Sequence, residues 1–192
     1  MWLLKNRSRG LYLCSIILLA MVVGGSAIAY ADSGTAKVAV NAGNLTESNA
    51  TNQVSLDVNK NLQLGTYTLP ITVADARGSG SGWKLSITST QFIHPGNGKG
   101  NYVLPTNASQ ITRVSVSCST YSTCTNPINS ISYPLFVPAG TTPPPPVKFF
   151  DAAVGSGLGK FGLTMLVNVT IPAKTQPGTY TSTVTLAVAN GP

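Results

Sequence analysis

The feature that most constrains this sequence is an alternation of apolar and polar residues with a period of two. A period of two places the apolar side chains of a β-strand on one face, so each such run predicts a half-buried strand. The longest run has six apolar residues in alternation, namely Phe161, Leu163, Met165, Val167, Val169 and Ile171. Three further runs have the same pattern, at residues 67–73, 83–87 and 180–188. No segment beyond residue 31 shows a helical period, so an all-β fold is predicted.

Weaker strand signals bring the predicted total to nine or ten strands. They lie at about 36–42, 53–58, 101–104, 111–118, 131–137 and 147–153. This number and spacing are typical of two packed antiparallel sheets, a β-sandwich of the immunoglobulin-like or jelly-roll-like kind. Pro70 and Pro134 interrupt two of the strands. Because proline cannot donate to a ladder, we expect both at sheet edges or bulges.

The N-terminus has the layout of a secretory signal peptide. Basic residues Lys5, Arg7 and Arg9 precede an apolar run at 11–24, and the small-residue site Ala29-Tyr30-Ala31 follows. An uncleaved anchor is the alternative, but the apolar run is shorter than the roughly 20 residues that a spanning helix needs. We therefore predict cleavage after Ala31, a signal peptide at 1–31, a secreted mature protein at 32–192, and no membrane association after the signal is removed.

Charge and composition exclude several classes of protein. Only 9% of residues are charged, against about 25% in a typical domain, which argues against a cytosolic, helix-rich enzyme. Removal of residues 1–31 takes away three of the twelve basic residues and none of the five acidic ones, so the net charge falls from +7 to +4. The remaining cations are scattered, so no nucleic-acid partner is predicted. Mild attraction to an anionic surface such as a cell wall remains.

Two cysteines remain beyond the signal, Cys118 and Cys124, in a Ser/Thr-rich stretch. An exported protein permits a bridge between them, and a loop this short adds roughly 2 kcal/mol of stability by the chain-entropy model. Two free thiols are the alternative. The spacing, with no second cysteine pair or histidine nearby, makes a metal site a poor interpretation. We predict a disulfide and no metal.

The one low-complexity segment, residues 141–146, contains four consecutive prolines. Such a run favours a stiff polyproline II conformation and could mark a domain boundary. The 46 residues that follow it carry about three predicted strands, too few for an independent core. We therefore predict a Pro-rich surface loop within one domain at 32–192.

No catalytic or cofactor motif meets its own requirements. Gly155–Lys160 resembles a phosphate loop, but a strand follows it instead of a helix. Gly78–Gly82 places glycine where a nucleophile elbow needs serine. His94, the sole histidine, is predicted to lie in a loop without a partner, and no motif surrounds any of the five acids. We predict no cofactor and no enzymatic activity.

One segment carries a specific resemblance. Residues 73–88 read as a strand, a turn with Asp75, Arg77 and Gly78, and then Gly82-Trp83-Lys84-Leu85. This arrangement resembles the proximal motif of the WxL domain family of Gram-positive surface proteins.

The resemblance continues through most of residues 35–192, although 90–146 contributes little. Residues 148–163, with Ala152-Ala153 and the glycines at 155–159, are similar to the family's penultimate segment. Its closing strand is similar to residues 171–173, Ile-Pro-Ala, and to residues 178–185, Gly-Thr-Tyr-Thr-Ser-Thr-Val-Thr. The distal W-x-L departs from the pattern, since Leu186-Ala187-Val188 stands there.

Members of this family are secreted and attach non-covalently to peptidoglycan. The resemblance therefore implies a cell-wall or cell-surface location and peptidoglycan or another wall polymer as partner. It also implies a second surface protein of the WxL system as a further partner. Trp83, Leu85 and Tyr180 are the candidate wall-binding residues.

Trp83 allows two interpretations. Trp83, Leu85 and Ile87 share a strand face, which predicts that the indole is buried with them. Alternatively, the ring lies at the strand end beside Gly78–Gly82 and covers the apolar side of a sugar ring. The first interpretation is favoured.

The leading functional hypothesis is a secreted, non-enzymatic β-sandwich that binds the wall or a neighbouring wall protein. The alternative is a subunit of a fibre or surface layer, in which a terminal strand adds to the sheet edge of the next molecule. Its basis is that the sequence stops at Pro192, directly after a strong strand. This alternative predicts self-assembly.

Overall fold

The computed structural model describes residues 42–48, 50–98 and 100–192. The predicted signal peptide, its cleavage site at Ala31 and nearly all of the predicted strand at 36–42 lie outside these residues. Residues Asn41–Pro192 form one compact unit. The Pro-rich segment 141–146 lies within this unit, between two strands of one sheet.

Twelve strands make up the secondary structure of the described residues, which contain no helix. In chain order they are β1 (Leu45–Glu47), β2 (Thr51–Val58), β3 (Leu64–Asp75), β4 (Trp83–Thr90), β5 (Ile93–Gly96), β6 (Gly100–Val103), β7 (Ser109–Cys118), β8 (Leu135–Phe136), β9 (Ala139–Gly140), β10 (Val147–Ala152), β11 (Gly159–Thr170) and β12 (Gly178–Asn190). Accordingly, this part of the chain has no helix that could cross a membrane.

The strands form two curled sheets, in agreement with the predicted sandwich-like, all-β architecture. The five-stranded sheet has the order β1-β3-β11-β7-β8. The seven-stranded sheet has the order β10-β4-β12-β5-β6, with β2 also paired to β12 and β9 to β4. All pairs are antiparallel except the short β4–β9 pair. The longest ladder joins β3 to β11 over twelve residue pairs, from Asp75 opposite Gly159 to Leu64 opposite Thr170.

The core lies between the sheets and is formed by the alternating residues that the sequence singles out. On β11, the alternating apolar side chains Phe161, Leu163, Met165, Val167 and Val169 are at most 1% exposed, and Ile171, just beyond the strand, is 4% exposed. Trp83, Leu85 and Ile87 on β4 are each 0% exposed. The period-two prediction is therefore confirmed for these strands.

The structure shortens one predicted strand and adds three strands that were not predicted. Only Leu135–Phe136 of the expected strand 131–137 forms a strand; at its start, the backbone N–H of Ile131 donates to the side-chain oxygen of Asn129 instead of to a neighbouring strand. The sequence analysis also missed β1, β5 and β9. Of these, β5 contains Pro95 and ends at Gly96, residues that hide a strand pattern.

The prolines and cysteines behave as expected. Pro70 lies on β3 opposite Thr164 of β11, beyond the residues Val73–Asp75 that pair with β1. Pro134 directly precedes the edge strand β8. Cys118 and Cys124 are joined by a disulfide, with their Cα atoms 6.0 Å apart, which confirms the predicted bridge.

Candidate functional site

Two segments that carry the family resemblance, 73–88 and 148–163, meet the cysteine-bridged loop at one end of the two sheets. We call this the motif end and define it by three loops, at residues 76–82, 119–134 and 153–158. The loops follow β3, β7 and β10. They meet because Asp75 lies opposite Gly159, Cys118 opposite Phe161, and Ala152 opposite Trp83 in the strand ladders.

Trp83 lies at the base of the motif end and is fully buried, which confirms the favoured interpretation. Its ring stacks on Phe150 with the ring centres 5.7 Å apart. The indole Nε1–H donates a 2.8 Å hydrogen bond to the carbonyl oxygen of Gly157. Gly157 has φ +70°, and a Cβ there would lie 2.6 Å from that indole nitrogen, so the close approach requires glycine.

The three candidate wall-binding residues do not form one exposed surface. Trp83 and Leu85 are 0% exposed and Tyr180 is 1% exposed. Trp83 on β4 pairs with Asn190 on β12. Asn190 is ten residues from Tyr180, which corresponds to about 33 Å along a strand. The alternating pattern that marks these residues is a burial pattern, so it selects side chains that face the core rather than a ligand.

An ion pair fixes the first loop of the motif end. Arg77 binds Asp75 through two bonds, Nε to Oδ1 and Nη2 to Oδ2, both 2.8 Å long. The same guanidinium donates to the carbonyl oxygen of Gly82 at 2.8 Å and to the side-chain oxygen of Asn190. The Arg77 hydrogen bond lowers the pKa of the Asp75 carboxyl below its ordinary value.

Backbone hydrogen bonds join the three loops to one another. Gly155 N–H donates to Gly80 at 2.7 Å, and Gly157 N–H donates to Thr125 at 2.8 Å. Ala153 N–H donates to the carbonyl of Ile128 at 3.0 Å. The loops therefore form one hydrogen-bonded layer over the sheet ends.

A second buried carboxylate ties residues 129–130 to β10. Asp151 accepts from both the backbone N–H and the hydroxyl of Ser130, each at 2.6 Å, and pairs with Lys148 at 2.9 Å. Burial opposes ionisation of Asp151, but the Ser130 bonds and Lys148 outweigh burial and lower its pKa.

Exposed apolar side chains mark the outer surface of the motif end. Among the described residues, the three most exposed large hydrophobic side chains are Tyr121 at 105%, Val154 at 72% and Ile128 at 67%, and all three lie in its loops. Tyr121 has a left-handed backbone, φ 63°, between the bridged Cys118 and Cys124. Sequence periodicity could not single out these residues, because exposure in loops follows no period. The sequence signal for Tyr121 is that an aromatic residue lies between the two bridged cysteines.

His94 is not an isolated loop residue, contrary to the sequence prediction. It lies on β5, its Nδ1 hydrogen-bonds the carbonyl oxygen of Thr179 at 3.1 Å, and its ring packs against Tyr102 and Tyr180. Since β5 pairs with β12 through Thr181 and Ile93, this cluster lies at the opposite end from Trp83. Within the described part of the chain, no three His, Cys, Asp or Glu side chains are grouped so as to hold a metal ion.

Comparison with known families assigns the chain. The family model described as WxL domain surface cell wall-binding matches residues 28–192. The chain belongs to the WxL family. Comparisons with curated proteins and with solved structures found no significant match. As a WxL domain, the protein is a cell-surface protein that binds the cell wall, and the family is a binding family rather than an enzyme family.

Proposed function

We propose that this WxL domain is a secreted, non-enzymatic module that attaches non-covalently to peptidoglycan through its motif end. The observation that carries the proposal is the position of Tyr121, Val154 and Ile128. They are the most exposed large apolar side chains in the described part of the chain, and all belong to the three loops of the motif end. Exposed apolar side chains on neighbouring, hydrogen-bonded loops are a candidate binding surface.

The loops constrain these side chains, so they lose little conformational entropy on binding. The disulfide closes the short loop that carries Tyr121. Val154 and Ile128 flank the hydrogen bond from Ala153 N–H to the Ile128 carbonyl. A preorganised side chain loses less conformational entropy on binding, so more of its contact energy contributes to affinity. An exposed tyrosine ring can cover the apolar face of a sugar ring.

The buried family residues have a positioning role in this proposal. Trp83 fixes the Gly157 carbonyl, and Arg77 fixes that of Gly82. Neither side chain needs to touch the wall. They determine where the backbone of the exposed loops runs.

Three of the four side-chain carboxylates in the described part of the chain are held by other protein groups, which supports a non-enzymatic role. Hydrolysis of a glycan usually requires two carboxyl groups that face one substrate bond. Asp75 and Asp151 are instead buried in separate ion pairs with Arg77 and Lys148. Asp57 accepts a hydrogen bond from Thr179 at the other end of the molecule.

The fibre alternative has less support from the strand arrangement. β12 pairs on one side with β2 and on the other with β4. Donation of this strand to another molecule would break both ladders. A second surface protein of the WxL system remains a proposed further partner, and the motif end is the surface we propose for it.

Co-sedimentation with purified peptidoglycan tests the proposal. Tyr121→Ala should weaken binding by about tenfold or more, the effect of losing an aromatic anchor, while thermal unfolding stays near that of wild type because the ring is exposed. Phe136→Ala is the matched control, since Phe136 is aromatic and 52% exposed but lies on β8, outside the motif end. Equal sedimentation of wild type and Tyr121→Ala would contradict the proposal. Sedimentation of wild type by self-association without any wall would favour the fibre alternative.

A further inference from the structure

The end of the molecule opposite the motif end contains two adjoining grooves. We call it the hairpin end and define it by the β2–β3 turn (59–63), the facing residues of β5 and β6 (94–97 and 102), and the β11–β12 loop (171–177). One groove of about 220 Å³ lies between β5, β6 and the β11–β12 loop. The other, about 490 Å³, lies between that loop and the β2–β3 turn. Gln176 lines both grooves, so they adjoin at this residue.

Aromatic rings form the wall of the smaller groove. His94 and Tyr102 both line it, with nearly parallel rings whose centres are 6.0 Å apart. Behind them, Tyr180 lies 5.3 Å from His94, centre to centre. The hydroxyl of Tyr180 donates to the backbone carbonyl of Gln176 at 2.9 Å, which fixes the loop between the grooves.

Two glycines make this arrangement of rings possible. A Cβ at Gly178 would lie 2.3 Å from the His94 ring, and a Cβ at Gly96 would lie 2.8 Å from the Tyr102 ring. Each ring therefore lies directly on backbone, where a larger residue would displace it. The rings are held in place before any ligand arrives, a property expected of a binding wall more than of a mobile surface.

The remainder of the grooves presents polar side chains that suit a sugar polymer. Side-chain amides line both grooves, and two lysines add positive charge: Asn59, Asn61, Gln63, Asn97, Gln176, Lys60 and Lys174. Each amide offers both donors and an acceptor. Hydroxyl and acetamido groups need this combination, and the apolar face of a sugar ring needs an aromatic wall.

We propose that the hairpin end is a second binding site, for a glycan strand of N-acetylated amino sugars. His94 and Tyr102 would contact the apolar face of one sugar, and Gln176 would hydrogen-bond where the strand passes from one groove to the next. The inference rests on the proposed function in taking the wall as the target, but it assigns a different surface. With sites at both ends, one domain can bridge two strands of the wall.

The test is an NMR titration of the intact protein with a soluble tetramer of β-1,4-linked N-acetylglucosamine. Amide shifts should cluster at 94–97, 102 and 173–178. Gln176→Ala removes an exposed side chain and should lower the affinity severalfold without unfolding the protein. Tyr102→Phe should retain most of the affinity, and Tyr102→Ala should lower it about tenfold or more, as for loss of an aromatic anchor.

Tyr121→Ala separates this proposal from the previous one. It should leave the hairpin-end shifts and their affinity unchanged while it weakens sedimentation with the wall. No shifts at the hairpin end, or shifts that Gln176→Ala and Tyr102→Ala both leave unchanged, would overturn the second site. Neither result would affect the role of the motif end.

Discussion

The two ends of the molecule are built from the same strands but expose different chemistry. At the motif end, loops joined by hydrogen bonds cover a buried tryptophan and leave single apolar side chains in solvent. At the hairpin end, aromatic rings and amides line two grooves. β12 connects the ends, with Asn190 at one and Tyr180 at the other.

The residues that identify the family need not be those that touch a ligand. Trp83, Leu85 and Tyr180 are all buried. Their effect on binding must pass through the loops that they hold. Variants at each end distinguish residues that position a loop from residues that contact the ligand.

Truncation of Trp83 should have the largest effect on stability. Trp83→Ala should lower the free energy of unfolding by about 3–5 kcal/mol, the usual cost of deleting a buried tryptophan. Trp83→Phe retains most of the packing but leaves the Gly157 carbonyl without its donor, and should cost about 1–3 kcal/mol. Denaturant titration measures both effects.

Trp83→Phe also distinguishes a positioning role from direct contact. Amide exchange at Ser156 and Gly157 should accelerate, while wall binding of the folded variant should fall less than in Tyr121→Ala. Complete loss of binding with unchanged exchange in this loop would indicate that the indole itself touches the wall.

Removal of the disulfide should act on stability and on the motif end together. Cys118→Ser with Cys124→Ser should lower the free energy of unfolding by about 2 kcal/mol, by the entropy of a short closed loop. Because Tyr121 then samples more conformations, wall binding should weaken while the hairpin-end titration is unaffected. Unchanged sedimentation of the folded double variant would show that the loop needs no constraint.

Acid should loosen the motif end before the hairpin end. The pKa values of Asp75 and Asp151 are both lowered in the folded protein, so their stabilisation is complete above the unfolded value of about 3.9. It is lost as the pH falls through the lowered folded values. Hydrogen exchange between pH 5 and pH 2 should show motif-end amides losing protection first. Asp75→Asn should remove part of this dependence and cost about 1–2 kcal/mol at neutral pH.

The smallest effect is expected at the hairpin end. Tyr180→Phe removes the hydroxyl that donates to the Gln176 carbonyl, a single hydrogen bond worth about 1 kcal/mol. The motif end should keep its wall binding, and the tetrasaccharide affinity should fall slightly. Equal loss at both ends would show that the ends are coupled through β12.

The sequence was sufficient to predict the strands wherever packing is periodic. The β11 run and the Trp83 face follow directly from alternation, and the cysteine spacing indicated the bridge. β5 was missed because Pro95 and Gly96 interrupt any pattern, and with it the partners of His94. Tyr180 and Trp83, both candidate wall-binding residues, lie at opposite ends of the sheet, a separation that the motif spacing does not reveal. Tyr121 was missed because periodicity does not report which loop residue faces water.

The most direct test of the account is hydrogen exchange of the intact protein with and without soluble peptidoglycan fragments. Binding should slow exchange at the hydrogen-bonded amides of the motif end, Thr125, Ile128, Ala153, Gly155 and Gly157, because contact with the wall suppresses the local opening of these loops. Unchanged exchange at these amides under saturating fragments would contradict the claim that the WxL motifs build a wall-binding surface here.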